Sequence, residues 1–147
     1  MSRRVLIADD SASMRQVLAQ ACERLGEVEV STAADGLDAV KRLATGRFDL
    51  MFVDINMPLL DGLKLIRRVR QDRGHLGTRI CVCTTEAEVE PQARQIGADY
   101  FLRKPVDRAA LDRVLRESFP AEEGEPSAAP VAPAALDAPG AGSPDDG

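Results

Sequence analysis

Residues 5–26 read VLIADDSASMRQVLAQACERLG and contain the pattern that decides the fold. The apolar run at residues 5–8 is typical of a short buried strand, and two aspartates follow it directly. Beyond them, apolar residues recur every three or four positions from Met14 to Leu25, and Gly26 is a typical helix stop. The stretch therefore predicts a strand, a polar turn and a helix.

The same alternation repeats along the chain as far as residue 119. Four further β-type runs lie at 28–32, 50–53, 80–83 and 100–102, and helical spacing of apolar residues separates most of them. The weakest helix lies before the last run, where Pro91 predicts a short helix beginning near that residue. Asp107 is the expected N-cap of the last helix. This pattern predicts an α/β fold, a doubly wound parallel sheet of five strands with helices on both faces.

Composition divides the chain into two parts. It has 147 residues, 44% hydrophobic and 29% charged, which suits one α/β domain. Residues 120–147 hold six acidic residues, no Lys or Arg, and six of the nine prolines. We therefore expect a folded domain over residues 1–119 and a disordered, acidic, Pro/Ala-rich tail over residues 120–147.

Charge and cysteine content exclude several kinds of partner. Residues 1–119 carry 19 basic and 18 acidic side chains, so the basic surplus typical of nucleic-acid-binding domains is missing. The three cysteines lack C-x-x-C spacing and the chain has one histidine, so neither a disulfide framework nor a zinc site is indicated. No apolar stretch of about 20 residues occurs, so we expect a cytoplasmic protein without membrane contact.

Polar residues follow four of the predicted strands at the point where each strand ends. They are Asp9 and Asp10, Asp54, Thr84 with Thr85, and Lys104 with Pro105. Ligands of such sheets bind beyond the carboxyl ends of the strands, so these side chains are expected to share one edge. Clustered carboxylates repel one another unless they take up protons or bind a cation, and Mg²⁺ suits oxygen ligands. A lysine and a hydroxyl opposite a metal-bound carboxylate suggest an anionic pocket of phosphoryl size, with the carboxylate as nucleophile forming an acyl phosphate.

Four motifs carry a resemblance to a known family. They are VLIADDSASMR, DINMPLLDG beginning at Asp54, CTTEA and GADYFLRKP, and the spacings from Asp54 to Thr84 to Lys104 are 30 and 20 residues. With these four motifs in this order, the chain resembles the receiver domain of two-component response regulators, and it is most similar to the single-domain chemotaxis regulators. The resemblance implies a flavodoxin-like sheet with strand order 2-1-3-4-5.

The resemblance also implies a role for each site residue. Asp54 would be the phosphoacceptor, and Lys104 would pair with the phosphoryl oxygens. The Mg²⁺ ligands would be the carboxylates of Asp9, Asp10 and Asp54 and the backbone carbonyl of Asn56.

The signalling steps that the resemblance implies involve a two-residue switch. Thr84 would move to hydrogen-bond the phosphoryl group, and Phe101 would turn inward into the space released. A cis Lys104–Pro105 peptide is expected as well. The implied partners are a sensor histidine kinase or phosphotransfer protein and an unidentified protein target of the phosphorylated form. A chemotaxis-type regulator, a phosphorelay intermediate and a phosphate sink share this chemistry and stay open.

Two other functions use part of the same pattern. A carboxylate-nucleophile phosphohydrolase dependent on Mg²⁺ is less favoured, because the chain shows neither Asp-x-Asp spacing nor a cap of extra residues. Flavin binding would need aromatic residues beside the ring, and the chain has no Trp and one Tyr.

Several residues also have a purely structural interpretation. Asp9 and Asp10 could serve only as caps of the helix beginning near Ser11. Phe101 could be ordinary strand packing. Cys81 and Cys83 share one face of a strand and are expected in the core. His75, in a loop with glycines on both sides, is expected to be exposed to solvent.

Overall fold

The structure of the protein is a computed structural model that describes residues 3–120. Within that range, five strands alternate with five α-helices, and one 3₁₀ turn lies on each side of the fourth strand. The strands are β1 (Arg3–Ala8), β2 (Val28–Ala33), β3 (Leu50–Val53), β4 (Arg79–Thr84) and β5 (Tyr100–Arg103). The helices are α1 (Ala12–Glu23), α2 (Gly36–Leu43), α3 (Gly62–Gln71), α4 (Glu90–Gln95) and α5 (Arg108–Ser118). Every predicted β-type run lies inside one of these strands.

The five strands form one parallel sheet in the order β2-β1-β3-β4-β5, which confirms the predicted order. β1 is paired on both sides, with Val5 opposite Val30 of β2 and Leu50 of β3. The chain passes from β1 outward to β2 and then returns to β3. The carboxyl ends of β1 and β3 therefore lie side by side at the switch point, which is where ligands bind in this architecture.

Burial follows the position of each strand. Residues 5–8 of β1 and the whole of β3 are buried, because inner strands of a parallel sheet are covered on both faces. Leu6 and Ala8 belong to a core cluster that includes buried residues of α2, α3 and α4. Val5, Ile7 and the buried residues of α1 lie outside that cluster. Because side chains alternate along a strand, helices cover both faces, as predicted.

Four helices are directly preceded by a residue whose side-chain oxygen accepts a hydrogen bond from the backbone N–H three residues later. These caps are Ser11, Asp35, Asp61 and Asp107. The cap of α1 is thus Ser11 and neither of the two preceding aspartates, and the predicted cap of α5 is confirmed. α4 has six residues with Pro91 in its first turn, which confirms the prediction of a short fourth helix.

Backbone contacts divide the chain into two units, Met1–Val114 and Leu115–Gly147. The first contains the whole sheet and helices α1 to α4. In the second, the Phe119 N–H donates to the Leu115 carbonyl at 2.9 Å, which continues the helical pattern of α5. Most of the predicted tail at 120–147 lies outside the described residues, and its disorder stays a prediction. Among residues 3–120, no helix is both long and apolar enough to cross a membrane.

The prediction that His75 is exposed is wrong. Its side chain is 6% exposed and ends a 3₁₀ turn, Arg73–His75, that follows α3. The ring Nε2 lies 3.1 Å from the Leu43 carbonyl oxygen, so the imidazole is held against the end of α2. The neighbouring glycines suggested a solvated loop. The contact that buries His75 joins residues far apart in sequence, so local sequence does not predict it.

The cysteines behave as predicted. All three thiols are free and buried. Burial, and then the charge of Glu23, raises the pKa of Cys22 to about 12. The Cys22 thiol is therefore protonated at neutral pH and packs as a small apolar side chain.

Candidate functional site

Four strands place the site residues predicted from the sequence at one edge of the sheet. Asp9 and Asp54 directly follow β1 and β3, Thr84 ends β4, and Lys104 directly follows β5. The sheet pairing continues at these positions. The Asp54 N–H donates to the Ala8 carbonyl, and the Lys104 N–H donates to the Thr84 carbonyl, both at 2.9 Å. The site side chains are therefore anchored on a rigid backbone.

Asp9, Asp10 and Asp54 form an acidic cluster at this edge, and their carboxylate oxygens lie within 4.8 Å of one another. The side chains of Asp9 and Asp54 are nearly buried, with the residues 1% and 5% exposed, and Asp10 is exposed. Ionised carboxylates at this separation repel one another, and burial removes water that would stabilise their charges. The cluster therefore favours a nearby cation.

Lys104 provides one positive charge to this cluster. Its Nζ lies 2.9 Å from Asp9 Oδ2 and 3.4 Å from Asp54 Oδ2, and its side chain is 17% exposed. Apart from this ammonium contact, the buried Asp9 Oδ2 has no hydrogen-bond partner in the described part of the chain. The Lys104 ammonium thus pairs with two of the three carboxylates, and Asp9 Oδ2 keeps lone pairs for a further cation.

The electrostatics of the cluster are expressed in two pKa shifts. Burial, and then the charge of Asp9, raises the pKa of Asp54, and the opposing effects of Lys104 and the Asn56 N–H are too small to cancel the rise. For Lys104, burial lowers the pKa, but Asp9 and Asp54 together outweigh it and raise the pKa. The lysine is therefore charged at neutral pH, and ionising the Asp54 carboxyl carries a cost that a nearby cation would reduce.

The donor atoms of the cluster fit Mg²⁺. The three carboxylates offer only oxygen ligands, and no His or Cys belongs to the group within residues 3–120. A small hard cation with waters completing its octahedron suits such a set. Asn56 lies beside the cluster, with its N–H 3.3 Å from Asp54 Oδ1. The role of its carbonyl oxygen as a fourth protein ligand stays a prediction.

The two residues of the predicted switch lie on neighbouring strands. Thr84 is completely buried, and its Oγ1 accepts a hydrogen bond from the Glu86 N–H at 3.2 Å. Phe101 is partly buried, packs against the core cluster and lies opposite Val82 in the β4–β5 register. Their arrangement permits the predicted coupling, while the movement itself stays a prediction.

Two polar contacts near the site were missed by the sequence reasoning. Glu86 Oε2 accepts a hydrogen bond from the Asn56 side-chain amide at 2.6 Å, across 30 residues of sequence. The Arg15 guanidinium donates to the Asp9 carbonyl at 2.7 Å. Glu86 belongs to the CTTEA motif, and Arg15 is the last residue of the VLIADDSASMR motif. Spacing along the chain does not predict that Glu86 contacts Asn56 or that Arg15 contacts Asp9.

Two backbone features lie in the loops around the site. A Cβ on Gly62 would collide with the Asp54 carbonyl oxygen and Ile55 Cα, so only glycine allows α3 to begin this close to the end of β3. The Lys104–Pro105 peptide is cis, as the resemblance implied.

Comparison with known proteins agrees with this geometry. The sequence model of the response regulator receiver domain matches residues 5–116. Chemotaxis protein CheY-3 of Vibrio cholerae is 32% identical over 118 residues, which cover 79% of this chain and 91% of that protein. Chemotaxis protein CheY of Pseudomonas aeruginosa is 30% identical over 118 residues, which cover 79% of this chain and 95% of that protein.

Solved structures show the same relationship. The chemotaxis response regulator CheY4 of Vibrio cholerae superposes with a TM-score of 0.72 at 32% identity, covering 80% of this chain and 99% of its own. The response regulator TrrA of Thermotoga maritima, solved in complex with Mg(2+)-BeF, gives a TM-score of 0.70 at 25% identity, covering 79% of this chain and 98% of its own. With this fold, this cluster at the carboxyl edge and a family match over residues 5–116, the chain belongs to the response regulator receiver domain family.

Proposed function

We propose that the protein is a phosphoacceptor of a two-component system, phosphorylated on Asp54 by a histidine kinase or phosphotransfer protein and acting through protein contacts. The observation that carries this proposal is the position of Asp54. Its carboxylate is nearly buried at the sheet edge, lies within 4.8 Å of two other carboxylates, and has Lys104 Nζ at 3.4 Å. Because the relatives are chemotaxis proteins, we favour a chemotaxis-type regulator, and we propose that it acts in the cytoplasm.

The chemistry follows from the groups present. An oxygen of the Asp54 carboxylate attacks the phosphorus of a phosphohistidine, so that an O–P bond forms as the P–N bond breaks, and the leaving imidazole takes a proton from solvent. Lys104 is in place to bind a phosphoryl oxygen. Mg²⁺ held by Asp9, Asp10, Asp54 and the Asn56 carbonyl would neutralise negative charge as the donor approaches. The protein catalyses its own modification and its own dephosphorylation, and we assign it no other substrate.

Phosphorylation replaces the singly charged Asp54 carboxylate with an acyl phosphate of close to −2, a net change of about −1, and it adds three strong hydrogen-bond acceptors. We propose that Thr84 leaves its bond with the Glu86 N–H to donate to a phosphoryl oxygen. Phe101, on the neighbouring strand, then turns into the vacated volume. Close packing favours two discrete arrangements over a gradual shift, so the surface around α4 and β5 would have two states.

The experiment is phosphorylation by a small phosphodonor, with the product detected by mass spectrometry of the intact protein. With phosphoramidate and Mg²⁺ the chain should gain one phosphoryl group, and chelation by EDTA should prevent the gain. Asp54→Ala should not be modified. Asp49→Asn is the matched control, because Asp49 directly precedes β3, at the opposite end of the strand from Asp54, and should leave the reaction intact. Modification of Asp54→Ala, or indifference to chelation, would refute the assignment.

A further inference from the structure

Arg70, in the last turn of α3, holds the turn between α4 and β5. Its Nε and Nη2 both donate to the Gly97 carbonyl, at 3.0 and 2.9 Å, and its Nη1 donates to the Thr78 carbonyl at 2.7 Å. Nη2 also lies 2.9 Å from Asp99 Oδ2. Hydrogen bonds from a charged donor are stronger than neutral ones, and this side chain is only 21% exposed. These contacts form the Arg70 clamp, which fixes the turn against α3 and the start of β4.

The backbone of the turn is fitted closely to this clamp. Gly97 has a φ of 125°, which favours glycine, and a Cβ there would lie 2.7 Å from Arg70 Cγ. Asp99 is bonded twice to the next strand, since its N–H donates to the Ile80 carbonyl at 2.8 Å and its Oδ2 accepts from the Ile80 N–H at 2.9 Å. The end of α4 is therefore held from two sides.

The beginning of α4 has no comparable clamp. Within residues 3–120, no side-chain oxygen caps α4 or the 3₁₀ turn before it, Ala87–Val89. The chain before that turn is held through Glu86, whose N–H donates to Thr84 Oγ1 and whose carboxylate accepts from the Asn56 amide. The bond to Thr84 is the one that the proposed function breaks. The two ends of α4 are thus held by separate groups, and only those at its beginning belong to the site edge.

We propose that the Arg70 clamp makes the turn at Gly97 a fixed pivot, so that phosphorylation moves the beginning of α4 and leaves its end in place. This inference rests on the proposed function. α4 has six residues and is about 9 Å long, so it is a short rigid body that tilts when one end is held and the other is released. A partner that distinguishes the two states then has to contact residues 86–92 and not the turn at 96–99.

The test maps backbone amide chemical shifts of the full chain by NMR, with Mg²⁺ and beryllofluoride, a mimic of the phosphoryl group, as the probe. In the wild type, residues 86–90 should change shift when the probe binds. Residues 96–99 should change less than any of these, because the Arg70 clamp keeps the turn in place. This comparison needs no variant, so it tests the pivot even if a substituted chain does not fold.

Arg70→Met removes the clamp and keeps an unbranched apolar stem. Loss of hydrogen bonds from a charged donor should speed amide hydrogen exchange at Ala98 and Asp99 about 10-fold in the free protein. With the probe bound, the shift changes should extend through residues 96–99. The rate of modification by phosphoramidate should be that of the wild type, because α3 begins beside Asp54 and Arg70 lies about 12 Å further along that helix.

Arg67→Met is the matched control. Arg67 is an exposed residue of the same helix and takes no part in the Arg70 clamp, so its substitution should leave the exchange rates and the shift pattern unchanged.

Three results would overturn the pivot. Equal shift changes at residues 86–90 and 96–99 of the wild type would show that α4 moves as a whole. A wild-type shift pattern in Arg70→Met would show that the clamp does not hold the turn. Changes confined to Asp54 and its neighbours would remove the pivot and leave phosphorylation standing. If the probe changes no shift even around Asp54, the proposed function fails and not the pivot alone.

Discussion

Replacing Lys104 with methionine should expose how much the acidic cluster depends on one cation. The ammonium lies 2.9 Å from Asp9 and 3.4 Å from Asp54, so each attraction amounts to about 5 kcal/mol at an effective dielectric constant of about 20. Desolvation of the ammonium costs several kcal/mol and opposes this gain. Removing one partner of a buried pair leaves unpaired charge, so Lys104→Met should lower the free energy of unfolding by about 3 kcal/mol.

The pH dependence of this loss has a defined sign. The folded state already raises the pKa of Asp54, and losing Lys104, which lowers that pKa, raises it further. Between the unfolded and folded pKa values the native state binds more protons, so its stability falls as pH rises. The deficit of Lys104→Met should therefore be largest near neutral pH and shrink in mild acid, where Asp54 takes up a proton.

The assay is urea unfolding followed by far-ultraviolet circular dichroism, because the chain has no Trp. The measurements are made in EDTA and then with Mg²⁺ at about 100 times its dissociation constant, which would return about 2.7 kcal/mol through binding to the native state. Lys64→Met is the control, since Lys64 is exposed and no carboxylate of residues 3–120 pairs with it. Wild-type stability of Lys104→Met in EDTA near neutral pH would refute this account of the cluster.

Three further predictions concern other parts of the chain. Asp54→Asn should be more stable than wild type near neutral pH and equal to it in acid, since burial and Asp9 raise the pKa of Asp54. Urea unfolding curves of both proteins at the two pH values check this, and a loss of stability in Asp54→Asn would contradict it. Removing residues 120–147 should move the midpoint of thermal unfolding by no more than about 2 °C, because a Pro/Ala-rich acidic segment cannot repay its ordering entropy, and a large drop would show that the segment docks. Thr84→Ala should still be phosphorylated, but phosphorylation should change few amide chemical shifts between Pro91 and Phe119 in NMR spectra. The full wild-type pattern of shift changes there would exclude the Thr84 route.

The sequence by itself determined the class of fold and which polar residues share one edge of the sheet. The alternation of β-type runs with helical spacing is a local property of the chain, and the pairing order of strands followed from the resemblance and was confirmed. Asp9, Asp54 and Lys104 could be placed at one edge because each directly follows a strand, and parallel strands end together. Periodicity and position along the chain were sufficient for these inferences.

Only the tertiary structure decided which groups touch. Lys104 lies nearer to Asp9 than to Asp54, Glu86 bonds the Asn56 amide, and His75 is buried against the Leu43 carbonyl. The positive φ of Leu59 is likewise invisible in a sequence that places leucine there. These features arise from packing between segments 30 or more residues apart, or from loop closure, and local spacing carries no record of either.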